Sequence, residues 1–557
     1  MKSKRSSAPA RLLLGTLLVL TLLSLSSTSQ AQTIAGGQIV GVVQDPTGAV
    51  IPGAQVVVRN VATGMERTLT TSEVGRYQAL NLRSGEYEVT VEQSGFATMR
   101  HTGIVLEVGS TATVNITLQV AATAEVITVM EDAAIIEPDR TAYTATVSQV
   151  SVENLPINGR RWENFVLLTP TVQPDGNFGL VSYRGISGLY NNNMVDGADN
   201  NQAFFSEARG RTRTSYTMSQ AAIKEFQVGT SNFSSEFGRA AGGTVNAVTK
   251  SGGNALHGEA FYFIRDDAFN AQEPISKADG FEKQKDTRQQ FGFSMGGPIK
   301  QDKVFWFLNY DQQHRNFPGI AVDSRGRRDS AGRLFVDPSF ALDEFCGPTF
   351  GAGVSQARCE GARALLLDEL GPFDRKGLNN VALGKIDWNI NPSQSFSVQY
   401  NYHKWRSPNG IQTQDRTNDT PLANGFDGVR TDLFLVRLTS LPSASTVNEF
   451  RFQYGRDFEF QRNNAPGPSV LHNSQLDIDG GGMRDFLPRK AFPDEDRYQW
   501  TNNFSWMRGS HTLKFGTDIN YVRERTINLF RGGGVYDYRS IEAYAMDVPL
   551  AGIPVFD

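Results

Sequence analysis

The sequence predicts a mostly β protein in three parts: an N-terminal β-sandwich, a mixed α+β domain, and the first about nine strands of an antiparallel transmembrane β-barrel. Three observations predict it. Short alternating segments bounded by turn residues fill residues 38–118. A glycine- and Asn/Ser/Thr-rich stretch passes directly into an aromatic alternating strand between Asn232 and Phe263. From Ala255 onward, alternating strands are joined by connections that are short and long by turns.

The chain has 557 residues, 39% hydrophobic and 20% charged, with a net charge of −4 from 54 basic and 58 acidic residues. Past residue 30 no apolar run approaches the roughly 20 residues a spanning helix needs, which excludes a helical membrane protein. No basic face is concentrated anywhere, so nucleic-acid binding has no support. At the N-terminus, Lys2, Lys4, Arg5 and Arg11 precede the apolar run Leu12–Leu25, and Ser29-Gln30-Ala31 supplies small residues at −3 and −1. That pattern predicts a Sec-type signal peptide over residues 1–31, cleaved after Ala31. The two cysteines, Cys346 and Cys359, stand thirteen residues apart. In an oxidising compartment such a pair is expected to staple a loop, the alternative being two free thiols.

Residues 38–119 read as a sandwich because alternation is clear in Glu86-Tyr87-Glu88-Val89-Thr90-Val91 and in Val114-Asn115-Ile116-Thr117-Leu118, with turns between. The pattern Gly41-Val42-Val43-Gln44-Asp45, Gly48 to Ala54, Gly75-Arg76-Tyr77 and Gly85-Glu86-Tyr87 resembles the carboxypeptidase regulatory-like domain. The resemblance implies a transthyretin-like sandwich, grouped with carbohydrate-binding folds. It does not bring peptidase chemistry. The histidines at 101, 257, 314, 403, 472 and 511 stand apart, with no HxxE or HExxH spacing to hold zinc. No cofactor, metal or catalytic residue is expected, and no enzyme.

Residues 120–150 read as a linker. Inside it, Glu125-Val126-Ile127-Thr128-Val129 alternates and resembles the TonB box, which implies strand pairing with a TonB-type inner-membrane energy transducer. The alternative is an ordinary linker strand.

Residues 151–253 contain Asn154-Leu155-Pro156-Ile157-Asn158-Gly159-Arg160-Arg161, a short helix over Trp162–Leu168, Tyr183-Arg184-Gly185, a turn over Val195–Asn200, and Ile223–Val228. Their order and spacing are similar to the plug of TonB-dependent receptors. The Arg160-Arg161 pair is expected to meet carboxylates of the barrel wall. Gly242-Gly243 and Gly252-Gly253 lack the GxxxxGK[ST] spacing of a phosphate loop; they serve close packing and turns.

From residue 255 to 557 the expected strands are 256–265, 287–296, 303–312, 380–390, 394–405, 432–441, 446–457, 497–506 and 511–523. The connections 297–302, 391–393, 442–445 and 507–510 are short; 266–286, 313–379, 406–431 and 458–496 are long. Short turns at one end and long loops at the other mark an outer-membrane barrel. Plugged barrels use about 22 strands, so the chain is expected to be the front portion of a longer receptor.

The order sandwich, plug, barrel resembles the Oar-like TonB-dependent receptors. This implies an outer-membrane location of the Gram-negative type, contact with lipid, and energy-coupled uptake of a small-molecule, glycan or peptide ligand. The alternative is a surface adhesion or assembly protein. Gly188 to Asn193 offers an aromatic ring and amides, so Tyr190, Asn191, Asn192 and Asn193 are the candidate ligand residues.

Overall fold

The computed structural model describes residues 36–120, 126–130, 143–175, 180–210, 216–341 (338 and 340 excepted), 355–411, 416–472, 478–480, 487–508, 511–538 and 541–546. The signal-peptide reading, Glu125 and Cys346 lie outside the described residues.

The sandwich is two sheets. One pairs Gly37–Gln44 with Arg76–Leu82 and, in parallel, with Thr111–Thr113 and Ile116–Thr117; the other runs Glu66–Thr70, Gln55–Asn60, Gly85–Glu92, Thr98–Leu106, Val126–Met130. Alternation does the work expected of it: Val56, Val58, Val89 and Val91 point inward and are at most 1% exposed. They pack with Ile39, Val43, Tyr77, Leu106 and Ile116 into one apolar core. The last strand is a departure from expectation. Val126–Met130 lies in the region read as linker, yet it pairs in parallel with Thr98–Leu106, Met99 opposite Ile127 and His101 opposite Val129. A five-residue alternating segment finds a free sheet edge nearby, and half-burying Ile127 against the core favours its addition.

The middle domain is built on a five-stranded sheet ordered Tyr143–Val147, Ile223–Ser231, Thr244–Thr249, Asn192–Val195, Ala198–Asp199. It therefore begins before residue 151. Helix Gln149–Asn154 is capped by the Ser148 hydroxyl, and Trp162–Leu168 forms a 3-10 helix. Asp196-Gly197 joins the last two strands with φ of +49° and +77°. Two positive φ values suit a tight two-residue hairpin turn, and an Asp-Gly pair takes them readily.

Nine strands form the third part, each paired antiparallel with the next: His257–Arg265, Thr287–Lys300, Val304–Asn316, Lys376–Asn391, Gln394–Ser407, Gly425–Ser443, Thr446–Asn463, Ala491–Arg508 and His511–Ile527. All nine expected strands are present. Most run longer than expected on the side of the long loops, where hairpins continue as paired strands.

Burial along this sheet is inverted relative to the sandwich. In Thr446–Asn463 the buried side is Val447, Glu449, Arg451, Gln453, Gly455, Asp457, Glu459 and Gln461; Phe450, Phe452, Tyr454, Phe458 and Phe460 take the other face. Polar in and aromatic out is stable only where the outer surface meets an apolar solvent. The polar face is covered by the middle domain, hereafter the inner domain. Its core of Phe165, Phe226, Val228 and Val245 extends onto Phe307, Leu383 and Leu433 of the sheet.

The long loops gather at one end and carry a small core of their own. Phe335, Cys359, Ala362, Leu366, Ile478 and Ile541 bury one another, joining helix Gln356–Glu369 to Ile541–Met546. Cys359 is disulfide-bonded inside this cluster. Asp279 ties three loops together through Arg328 and Arg416, each at 2.8 Å.

Candidate functional site

The inner domain is gripped by every strand of the sheet. Phe261 and Phe263 hold Arg160; Gln290 and Asp311 hold Tyr216; Asn379 and Asn401 bind the carbonyls of Tyr216 and Thr217. Arg437, Gln453, Arg497 and Asn520 converge on the Asp196–Asp199 hairpin. The contacts are mostly polar, which follows from the inward face of the strands being polar.

Two carboxylates organise the grip. Asp196 accepts the Thr249 hydroxyl at 2.7 Å, and its backbone carbonyl receives Arg437 at 3.0 Å. Asp199 is contacted by Arg497 at 2.6 Å, Arg239 at 3.1 Å and the Asn520 amide at 3.1 Å. Burial alone raises the Asp199 carboxyl; the guanidinium groups of Arg497 and Arg239 override it and hold it below the usual carboxylate range. Arg497 also meets Glu495 at 3.1 Å, whose other oxygen accepts the Ala203 N–H at 2.6 Å. Arg209 enters this cluster because Gly455 leaves room; a Cβ there collides with the guanidinium. Toward the long loops the cluster ends in Phe204, Phe205 and Phe492, with centroids 4.7–6.2 Å apart, and Arg489 lies 4.3 Å over Phe492.

The sequence-predicted ligand residues do not converge on one open surface. Asn191 gives its amide to the Val181 carbonyl at 2.6 Å and accepts the Gly243 N–H. Asn192 donates to the Gly238 carbonyl at 2.9 Å and accepts from Asn201, and the Asn193 amide is bonded to Asn201. These three amides hold the inner domain together; only Tyr190 is exposed. Asn192→Ala is therefore expected to destabilise the purified chain by about 1–3 kcal/mol, because a buried partner loses its hydrogen bond. Tyr190→Ala should leave the unfolding midpoint within about 0.5 kcal/mol of the parent. A larger loss for Tyr190→Ala than for Asn192→Ala in chemical denaturation contradicts this assignment.

The Arg160-Arg161 expectation is corrected too. Arg160 lies over Phe261 at 4.8 Å and Phe263 at 4.5 Å, and Arg161 reaches Glu163 of its own domain at 3.6 Å. Aromatic rings face a guanidinium well, and the wall carboxylates Asp311 and Glu259 act on Arg160 through their charge without a direct ion pair. Sequence reasoning missed Asp199, Arg209, Arg239 and Arg497. For Arg497 the available signal was the run of polar residues at alternate positions of 446–463 and 491–508, Glu449, Arg451, Asp457, Glu459, Glu495 and Arg497 among them, opposite aromatics. Among the described residues no group of three or more His, Cys, Asp or Glu is placed to hold a metal ion.

Residues 38–119 match the carboxypeptidase regulatory-like domain, and residues 248–323 and 374–551 match the outer membrane beta barrel domain. Over 295 residues the chain is 27% identical to the TonB-dependent transporter Oar of Myxococcus xanthus, a match covering 49% of this chain and 27% of that protein. The chain carries an outer membrane beta barrel domain and a carboxypeptidase regulatory-like domain and is similar to a TonB-dependent transporter. It is also similar to the outer membrane transporter YddB from Escherichia coli, at 12% identity and a TM-score of 0.49 over 71% of this chain and 50% of that one. The siderophore receptor PirA from Acinetobacter baumannii matches at 14% identity and a TM-score of 0.45 over 69% and 48%. The chain thus spans about half the length of these solved relatives.

Proposed function

We propose that this receptor takes up a ligand across the outer membrane with energy from a TonB-type transducer, the inner domain acting as the plug and the nine strands as the front portion of its barrel wall. The observation that carries the reading is the inverted sheet filled by a domain held mainly through ion pairs and hydrogen bonds. Such a contact can be released and remade, whereas a fully apolar one cannot without exposing its core to water. The short-turn end faces the periplasm and the long loops face outward. Val126–Val129 is the transducer's strand.

The ligand side is the tip of the inner domain at residues 202–209 with Phe492 and Arg489, not Asn191–Asn193. Rings on one side and Glu495 and Arg209 beneath suit a ligand with an aromatic or apolar body and polar groups. The sandwich is not offered as a glycan site, since Tyr77 and Tyr87 are buried in its core.

A photo-crosslinking residue placed singly at Val126 or Val129 in cells tests the coupling. Both side chains are exposed. The expected result is an adduct with the TonB-type transducer from either position and none from Thr47, in an exposed turn of the sandwich. Equal capture from Thr47, or none from Val126 and Val129, overturns the assignment.

A further inference from the structure

The sandwich is not a loose appendage. It sits against the short-turn end of the barrel strands and the base of the inner domain. Arg83 pairs with Asp387 at 2.7 Å, four residues from the end of the Lys376–Asn391 strand. The Asn81 amide donates to Glu449 at 3.0 Å, three residues into the Thr446–Asn463 strand. Lys224 of the inner domain donates to the Ser84 carbonyl at 2.7 Å, and the Asn254 N–H to the Ala62 carbonyl at 2.8 Å. Asp387 is 2% exposed and Glu449 6% exposed, so the contacts close over carboxylates that otherwise face water.

Between the three parts lies a cavity of about 570 Å³. Its walls include Arg67 and Arg83 from the sandwich, Lys224 and Thr249 from the inner domain, and Lys385 and Ser395 from the sheet. A solute passing the inner domain toward the short-turn end enters this chamber, whose floor is the sandwich.

The interface is polar. The sandwich core draws only on residues between Ile39 and Ile127, and the inner-domain core shares nothing with it. Domains joined by small polar contacts move relative to one another unless something prevents it. The strand Val126–Met130 is paired to the sandwich itself, through Thr98–Leu106.

We propose that the N-terminal sandwich is a gate on the inner end of the barrel, latched shut by Arg83 on Asp387 and Asn81 on Glu449. The 126–130 strand makes the sandwich the part that a pull displaces first. That last step rests on the transducer reading above; the latch does not.

The test uses the full chain in isolated outer membranes. Cys359 is disulfide-bonded, and no described cysteine is free, so a single introduced cysteine can be followed. Ser395→Cys places a thiol on the chamber wall, and a charged maleimide is the probe. The expected result is slow labelling in the parent and at least about tenfold faster labelling when Arg83→Ala and Asn81→Ala are added, with Arg83→Lys slow again. Equal rates with and without the latch residues overturn the proposal. A second variant guards against misfolding. Asp387→Asn with Asn81→Ala, in the Ser395→Cys background, keeps the shape of the Asp387 side chain while removing the charge that holds Arg83, and should label as fast as the Arg83→Ala, Asn81→Ala chain. Slow labelling of that variant also overturns the proposal. Neither measurement involves transducer or ligand, so either result is independent of whether uptake is energy-coupled.

Discussion

Asp199→Ala is expected to destabilise the docked inner domain by about 3–5 kcal/mol, the loss typical when one partner of a buried ion pair is removed. Asp199 satisfies Arg497, which is 1% exposed, together with Arg239, Asn520 and the Asn201 N–H. With the carboxylate gone, Arg497 keeps Glu495 alone where water is scarce, while Arg239, which is exposed, loses this partner and turns to solvent. Asp199→Asn keeps an acceptor and removes the charge, so its loss should be smaller. Thermal unfolding of the purified chain in detergent measures the ranking, and faster proteolysis of the inner domain should accompany it. The pH dependence follows from the direction of the shift. The carboxyl is held below its ordinary value, so its contribution is complete above the unfolded value of about 3.9 and is lost as pH falls through the folded one. The parent and Asp199→Ala should differ most near neutrality and converge only in strong acid. A constant difference down to strong acid removes Asp199 as the organising charge.

Ile127→Pro should reduce transducer capture at Val129 at least about tenfold. Proline has no N–H and locks φ, so it removes one ladder donor and distorts the strand about that position. Ile127 lies mid-strand, opposite Met99, so the change falls at the centre of the segment that must pair. The sandwich itself should survive, because its core is carried by Val56, Val58, Val89, Val91 and their neighbours rather than by the last strand. Capture at the parental level, with the proline chain in the outer membrane at normal amount, refutes strand addition at this segment. Loss of the sandwich's cooperative melt refutes the peripheral role given to the strand.

The architecture was legible in the sequence because it rests on local pattern. Period-two alternation named all nine barrel strands, and the alternation of short and long connections named the end at which each turn lies. Both are properties of neighbouring residues, since a strand shows opposite faces to opposite solvents wherever it sits. The sandwich was legible for the same reason, its turns falling between self-contained alternating segments. Three things were decided only by tertiary structure. Asn191, Asn192 and Asn193 look like ligand amides in isolation, but parallel pairing of Asn192 and Asn193 with Thr244–Thr249, and hydrogen bonds from Asn191 to Val181 and Gly243, commit them to the inner domain. Arg160 lies directly over rings, with wall carboxylates acting on it only at longer range, because the adjoining strand offers Phe261 and Phe263 to it. The ion-pair centre joins Asp199 to Arg497 across 298 residues, and Arg83 meets Asp387 across 304. No local pattern encodes which distant charge answers which. A buried charge must find a partner wherever the fold brings one within reach, and that choice belongs to the assembled chain.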